Sequence, residues 1–360
     1  MSSRVYLRPT AFVDAPFQLD GKVARLAGGL IFFSAVEVIR LENARPLLDL
    51  IPVERMEDAL PSLGAAAQTA WRNLTSARVA LRMGERVVRL DQPQVMGIVN
   101  ATPDSFSDDG LSGDTDAAAS LGFSMAEEGA AIIDVGGEST RPGAKPVWEG
   151  DEIARVEPVV RRLAASGTAV SIDTRKAAVM EAALAAGAGL INDVSALAWD
   201  ERSAALVANA GCPVVLMHHQ GTPETMQKAP HYDWPVALEV YDWLEERIAF
   251  AESRGVKREN ILVDPGIGFG KTVQHNLQLL NQLALFHGLG CPLVLGASRK
   301  RMIGALSAEA PADRRLPGSL ALALKGAEQG VQLLRVHDVP ETVQALRIWR
   351  GLRDAALTPS

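Results

Sequence analysis

Cysteine is scarce: the 360 residues contain two, Cys212 and Cys291. Each stands in Gly-Cys-Pro ahead of an apolar run, and no Cys-x-x-Cys spacing occurs, so a disulfide framework or a thiolate metal site is not expected. Both read as structural thiols of a reducing compartment. Basic runs interleaved with aromatics are missing, and the net charge is −7 with a pI near 5.5. Nucleic acid is therefore not an expected partner, whereas small anions remain compatible with the chain. Long apolar runs are missing as well. The stretch 27–39 is interrupted by Glu37 and falls short of the roughly 20 residues a bilayer span requires, so no membrane partner is expected. Residues 1–8 carry two arginines and no small-residue cleavage site follows, which makes the cytoplasm the expected compartment.

What is present is ordinary for a globular protein, 48% hydrophobic and 22% charged, and ample for a large core. The pattern changes near Val95. Before it, residues 5–12 and 31–41 suit strands, 55–76 a helix interrupted near Pro61, and 79–90 a hairpin around Gly84. This predicts a small αβ extension over residues 1–94, with no site chemistry legible in it. After Val95, over 95–355, a unit recurs: a short apolar and β-branched run, a polar or Gly-rich stretch, then an Ala/Leu-rich helical pattern. Eight such runs fall at 95–100, 131–136, 168–173, 190–193, 213–218, 261–264, 292–298 and 332–337. Near-continuous apolar strands alternating with helices imply a parallel sheet covered on both faces. Eight units imply closure, so the expected fold class is α/β, a (β/α)8 TIM barrel. The last helix has a readable start, with Asp338 as N-cap, Pro340 in the tolerant first turn and Glu341 at the capping-box position.

The runs all stop on polar groups: Asn100, then Glu138 with Thr140 and Arg141, Asp173, Asn192, His218, Asp264, Ser298 with Lys300, and Arg335 with His337. A barrel brings every strand's C-terminal end to one mouth, so these side chains are expected to share a pocket. A single terminal Asp often only caps the next helix. Eight polar endings out of eight point to chemistry, because a stranded polar group costs roughly 1–3 kcal/mol. Asp173, Asn192 and Asp264 suit a flat heterocycle with adjacent N–H groups, since a carboxylate can accept two parallel hydrogen bonds. Met217 and Phe269 suit walls for its faces. Arg335 and His337 stand two apart beside a helix N-terminus, an anion site expected on the opposite, cationic side of the mouth. The segment from Asp264 to Thr272 ends like a phosphate loop, but Pro265 occupies a position that requires glycine, so its glycines are read as permitting close approach to a ligand. Residues 100–110, with Phe106, suit a lid.

Several long blocks resemble the dihydropteroate synthase family: VMGIVNATPDSFSDDG, IIDVGGESTRPGA, SIDTRK, LINDVSAL, LMHHQGTPETMQ, ILVDPGIGFGKT, LGASRKRMIG and LLRVHDVPETV, in the family's order. The resemblance implies a (β/α)8 barrel that binds 6-hydroxymethyl-7,8-dihydropterin pyrophosphate and p-aminobenzoate, the target of sulfonamides. It implies Asp173, Asn192, Met217, Asp264, Phe269 and Lys300 around the pterin, and Asn100, Thr140, Arg141, Arg335 and His337 around the pyrophosphate. Phe106, Pro142, Ser298, Lys300 and Arg301 are implied around p-aminobenzoate, with Mg2+ held by Asn100 and Asp108. Asn100, Asp173, Lys300, Arg335 and His337 are the implied catalytic set, and a homodimer is the implied assembly. The chain departs from the family pattern at His219, where methionine is usual, and at Arg301, where serine is usual. A pterin-dependent methyltransferase would share the acids without needing Ser298-Arg299-Lys300 or Arg335-x-His337. A barrel aldolase would use Lys300 as its Schiff-base amine, and a non-catalytic pterin-binding paralogue would have lost pieces of the anion site or lid.

Overall fold

The computed structural model describes residues 4–42, 45–102, 115–139, 146–221 and 225–358. The chain opens with an antiparallel sheet of β1 (Val5–Val13), β2 (Ala24–Arg25), β3 (Phe32–Glu42) and β4 (Arg45–Pro52), in which β3 pairs with the other three. Two helices follow, Met56–Leu63 and Ala65–Thr75, separated at Gly64. The expected break thus falls at Gly64, while Pro61 sits inside the first helix. Alternation along β1 and β3 sends successive side chains to opposite faces. Leu7, Val36 and Val38 join Met56, Leu60, Trp71 and Leu74 in one core. Tyr6 and Ile39 instead join the core of the rest of the molecule, where the Tyr6 ring meets Tyr241 edge-on and its hydroxyl donates to Asp242 at 2.8 Å.

A hairpin of β5 (Leu81–Met83) and β6 (Arg86–Val88) turns at Gly84, as expected. Eight parallel strands then form the barrel: β7 (Gln94–Asn100), β8 (Ile132–Gly136), β9 (Val170–Asp173), β10 (Leu190–Asp193), β11 (Val214–Met217), β12 (Ile261–Asp264), β13 (Val294–Leu295) and β14 (Leu333–Val336). They run in the order β12-β11-β10-β9-β8-β7-β14-β13, and a single bridge between Val263 and Leu293 joins the two ends. Helices connect the strands, so the strands are covered on both sides and almost wholly buried. The hairpin closes the barrel's N-terminal end: Leu81, Met83 and Val88 share an apolar cluster with Met96, Ile132, Leu190, Val215, Leu262 and Leu333. Among the described residues no helix is long and apolar enough to cross a membrane.

Candidate active site at the barrel mouth

Parallel register sets the strand ends side by side: Asn100 pairs with Gly136, Gly136 with Asp173, Asp173 with Asn192, and Met217 with Asp264. The sequence-predicted Asp173, Asn192, Met217, Asp264 and Ser298 are all buried there. Thr140, Arg141, Pro142, Phe106 and Asp108 lie outside the described residues, as does most of the expected lid.

At the centre Arg335 bridges two acids. Its Nε donates to Asp134 Oδ2 and its Nη2 to Asp173 Oδ2, each at 2.6 Å. Asn192 Nδ2 donates to the same Asp134 oxygen at 2.9 Å, which also fixes the orientation of the Asn192 amide. The expected separation of a cationic side from an acidic one is therefore corrected: the Arg335 cation sits among the carboxylates. A cation alone at that depth would be costly, and a pair recovers the cost only with good hydrogen-bond geometry. The Oδ1 atoms of Asp134 and Asp173 are buried with no hydrogen-bond partner. Burial raises Asp173 above the usual carboxylate range, with Arg335 opposing and Asp134 adding to the rise. Burial pulls Arg335 down, but Asp134 and Asp173 outweigh it and keep the guanidinium charged.

The Gly-rich segment after β12 folds over this cluster. Gly266 N donates to Asp264 Oδ1 at 2.7 Å, and burial raises the Asp264 carboxyl. Gly266 and Gly270 have φ of +68° and +66°, and added Cβ atoms would lie 1.8 Å from His218 O and 2.5 Å from Gln220 O. These glycines thus serve close packing on the neighbouring loop, which corrects the expectation of ligand approach at those two positions. Phe269 lies beneath Lys300, whose Nζ is 4.0 Å from the ring centroid. Burial, then the nearby Arg335, lowers Lys300 to about 8.

Across the mouth, Ser298 Oγ lies 3.0 Å from His337 Nδ1 and accepts from the His337 backbone N at 3.2 Å. The serine proton is then available to Nδ1, an arrangement that would leave the imidazole proton on Nε2. Burial, then Arg335 and Arg299, pushes His337 down to about 3, so the imidazole is neutral, and the expected second cation is corrected to a neutral donor. Asp338 does precede the helix Val339–Ala356, but makes no side-chain cap. Its carboxylate pairs with Arg299 instead, which holds a left-handed φ of 55° where the chain turns into helix Arg301–Leu306. Arg301 opens that helix and is exposed.

Two groups were not singled out from sequence. Asp134 is fully buried inside Ile132-Ile133-Asp134-Val135, and a carboxylate in the middle of an apolar strand was the available signal. The other is a second charged network beside the first, of which only Glu138 was expected, as a polar strand ending; its carboxylate is taken up by Arg175, Lys176 and Val147 N. Glu138 accepts from Arg175 at 3.1 Å, Lys176 at 3.0 Å and Val147 N at 2.8 Å, while Glu152 accepts from Lys176 at 2.5 Å and Thr174 at 2.6 Å. Burial raises Glu138, but the Val147 amide and Lys176 outweigh it and hold the carboxyl below its usual range.

Among the described residues no group of three or more His, Cys, Asp or Glu could hold a metal. A Mg2+ ion carried by substrate phosphates and waters needs only one or two protein oxygens, and the Asn100 amide at the end of β7 is an oxygen donor of that kind.

Residues 96–337 match the family pattern of pterin binding enzymes. The dihydropteroate synthase of Escherichia coli strain K12 is 48% identical over 260 residues, 72% of this chain and 91% of that relative. The chain belongs to the dihydropteroate synthase family. Family members of known structure superimpose on it. A Xanthomonas albilineans dihydropteroate synthase with 4-aminobenzoic acid aligns at 47% identity and a TM-score of 0.72, over 77% of this chain and 99% of that one. The same organism's enzyme in complex with 7,8-dihydropteroate aligns at 46% identity and a TM-score of 0.69, over 76% and 98%. The family match begins at Met96, beyond the antiparallel sheet and its two helices.

Proposed function

We propose that the chain is a transferase that joins 6-hydroxymethyl-7,8-dihydropterin pyrophosphate to p-aminobenzoate, giving 7,8-dihydropteroate and pyrophosphate. The observation that carries this is the Asp134–Arg335–Asp173 cluster, with two unmet buried carboxylate oxygens beside Asn192, in a chain of this family. Unmet acceptors at a mouth call for a ligand rich in N–H groups, which the aminopyrimidine edge of a pterin supplies. In this reading Asp173, Asn192 and Asp264 bind that edge, Met217 and Phe269 take the ring faces, and Lys300 reaches the bicycle from above Phe269.

The diphosphate lies toward Asn100, Arg335 and His337, with Thr140 and Arg141 from the neighbouring loop. Arg335 spends two of its five N–H groups on the acids, leaving three for phosphate oxygens. His337 donates from Nε2. Asn100 and Asp108 would hold Mg2+, which when bound neutralises charge on the departing diphosphate. As the C–O bond breaks, positive charge grows on the exocyclic methylene and spreads into the reduced ring, where Asp173 and Asp264 face it. The p-aminobenzoate amine attacks that carbon and then loses its proton. Ser298, Lys300, Arg301, Phe106 and Pro142 surround this second substrate. No covalent nucleophile is required. A homodimer completes the reading and rests on the family alone.

The test is pyrophosphate release by the purified chain. Release that requires both p-aminobenzoate and magnesium is expected. Release without p-aminobenzoate, or methyl transfer from methyltetrahydrofolate in its place, overturns the reading.

A further inference from the structure

Lys271 is 2% exposed, and its amine nitrogen lies within hydrogen-bond reach of three groups, His218 Nδ1 at 2.8 Å, Gly266 O at 2.9 Å and Phe269 O at 3.0 Å. Burial holds Lys271 well below the usual lysine pKa, and a polar group at that depth is tolerated only when its hydrogen bonds are so met. The three acceptors come from two places, the end of β11 and the loop after β12. His218 is kept in the accepting role: its ring is buried, Trp243 lies edge-on at 4.9 Å, and burial and Lys271 hold the imidazole well below its usual pKa.

We infer that Lys271 is a positioning residue for the pterin pocket, fixing the loop path that aims Asp264 and Phe269 while never touching substrate itself. The inference rests on the pterin reading above and adds a residue to it. The two carbonyls Lys271 holds flank the segment that matters. Gly266 donates its N–H to Asp264 Oδ1, and Phe269 carries the ring beneath Lys300. Other ties reach this loop at its start, middle and end, where Asp264 O accepts from His218 N at 2.9 Å, Gly268 N donates to Asn276 Oδ1 at 2.7 Å, Gly268 O accepts from Gln227 Nε2 at 2.6 Å and Gly270 O accepts from Tyr232 Oη at 2.9 Å, but none of them reaches the Phe269 carbonyl. Without the Lys271 amine, Phe269 O and His218 Nδ1 lose their donor and Gly266 O keeps only the Phe269 N–H at 3.1 Å, so the segment is tied to β11 less firmly and can turn Asp264 and Phe269 away. The p-aminobenzoate side shares Lys300 with this loop, but Ser298 and its other neighbours hang on different strands, so it should feel the change far less.

The experiment is steady-state kinetics on the full chain carrying Lys271→Met, with pterin dissociation constants measured alongside. A rise of tenfold or more in the pterin-substrate KM, with the p-aminobenzoate KM within twofold, is the expected split. A pterin KM within twofold of the parent chain, or equal rises in both KM values as a general loosening would give, overturns the inference. Should Lys271→Met fail to fold, His218→Leu and His218→Asn decide the matter. The leucine removes the acceptor and the asparagine keeps one, so the pterin KM should rise at least fivefold more with leucine. Equal effects overturn the proposal. A parent chain that releases no pyrophosphate and binds no pterin overturns the underlying reading, whereas an active parent with an indifferent variant overturns only the role of Lys271.

Discussion

Two networks of buried charge meet at the end of β9, where Asp173 belongs to one and Arg175 and Lys176 to the other. They use the same groups but are completed differently. In the network of Glu138 and Glu152 all four carboxylate oxygens accept hydrogen bonds from Arg175, Lys176, Val147 and Thr174. In the network of Asp134 and Asp173 one oxygen of each carboxylate has no donor. The first is finished by the fold and ties Glu138 and Val147 to Arg175 and Lys176, just past β9. The second is left open, with acceptors to spare in the proposed pocket. Charge density alone does not separate these two networks; the unmet acceptors of Asp134 and Asp173 do.

The comparison breaks most visibly if the finished network is opened. Lys176→Met leaves the buried Glu152 without a cation while Glu138 keeps Arg175 and Val147 N, and unfolding should become easier by about 3–5 kcal/mol, read from denaturant midpoints. Pterin affinity of the folded fraction should stay within about twofold, a bound set by placing this network outside the pocket. In the open network the pattern reverses. Asp173→Asn should keep the fold but weaken pterin binding by about 1.5–3 kcal/mol, because an acceptor-only group is replaced by one that also donates; unchanged affinity in a titration refutes the pocket. Lys300 sharpens the picture through pH. Its pKa is lowered to about 8, so the cation is present below that pH and lost above it. Pterin affinity should decline as pH rises through about 8, and Lys300→Arg should carry the decline to higher pH; a flat profile across this range contradicts a contact from Lys300. The smallest effect belongs to His337→Ala, which removes one neutral donor worth about 0.5–1.5 kcal/mol. Turnover should slow while unphosphorylated pterin stays bound, and equal loss of both in parallel assays points to misfolding.

The barrel was legible because its strands obey one rule: apolar within, polar at the C-terminal end. All eight predicted runs contain the observed strands or miss them by one residue at an edge, as at Gln94. The extension was legible where alternation was strong, in β1 and β3, but not in β4, whose Leu47, Leu48 and Leu50 are exposed and whose ends are marked by Pro46 and Pro52, as suits an edge strand. At the candidate site, the placement of Asp173, Asn192, Asp264, Lys300, Arg335 and His337 at the barrel mouth followed from strand ends, while their pairings did not. Arg335 reaches Asp134 across 201 positions, and no local pattern announces such a partner. The charge of His337 was misjudged for a related reason: burial and nearby cations, which only the fold assembles, outweigh its intrinsic basicity. Lys271 was hidden by its resemblance to a phosphate-loop lysine, a role that Pro265 excludes and the carbonyls of Gly266 and Phe269 replace.

The barrel closes through one bridge, Val263 with Leu293, whereas its other neighbouring strands share two to five paired positions. That seam lies between the strand ending in Asp264 and the strand leading to Ser298 and Lys300. Mild denaturation should part these strands first, before helices or the antiparallel sheet are disturbed. Turnover would then vanish ahead of any change in circular dichroism, and the catalyst would report the earliest opening of its own scaffold.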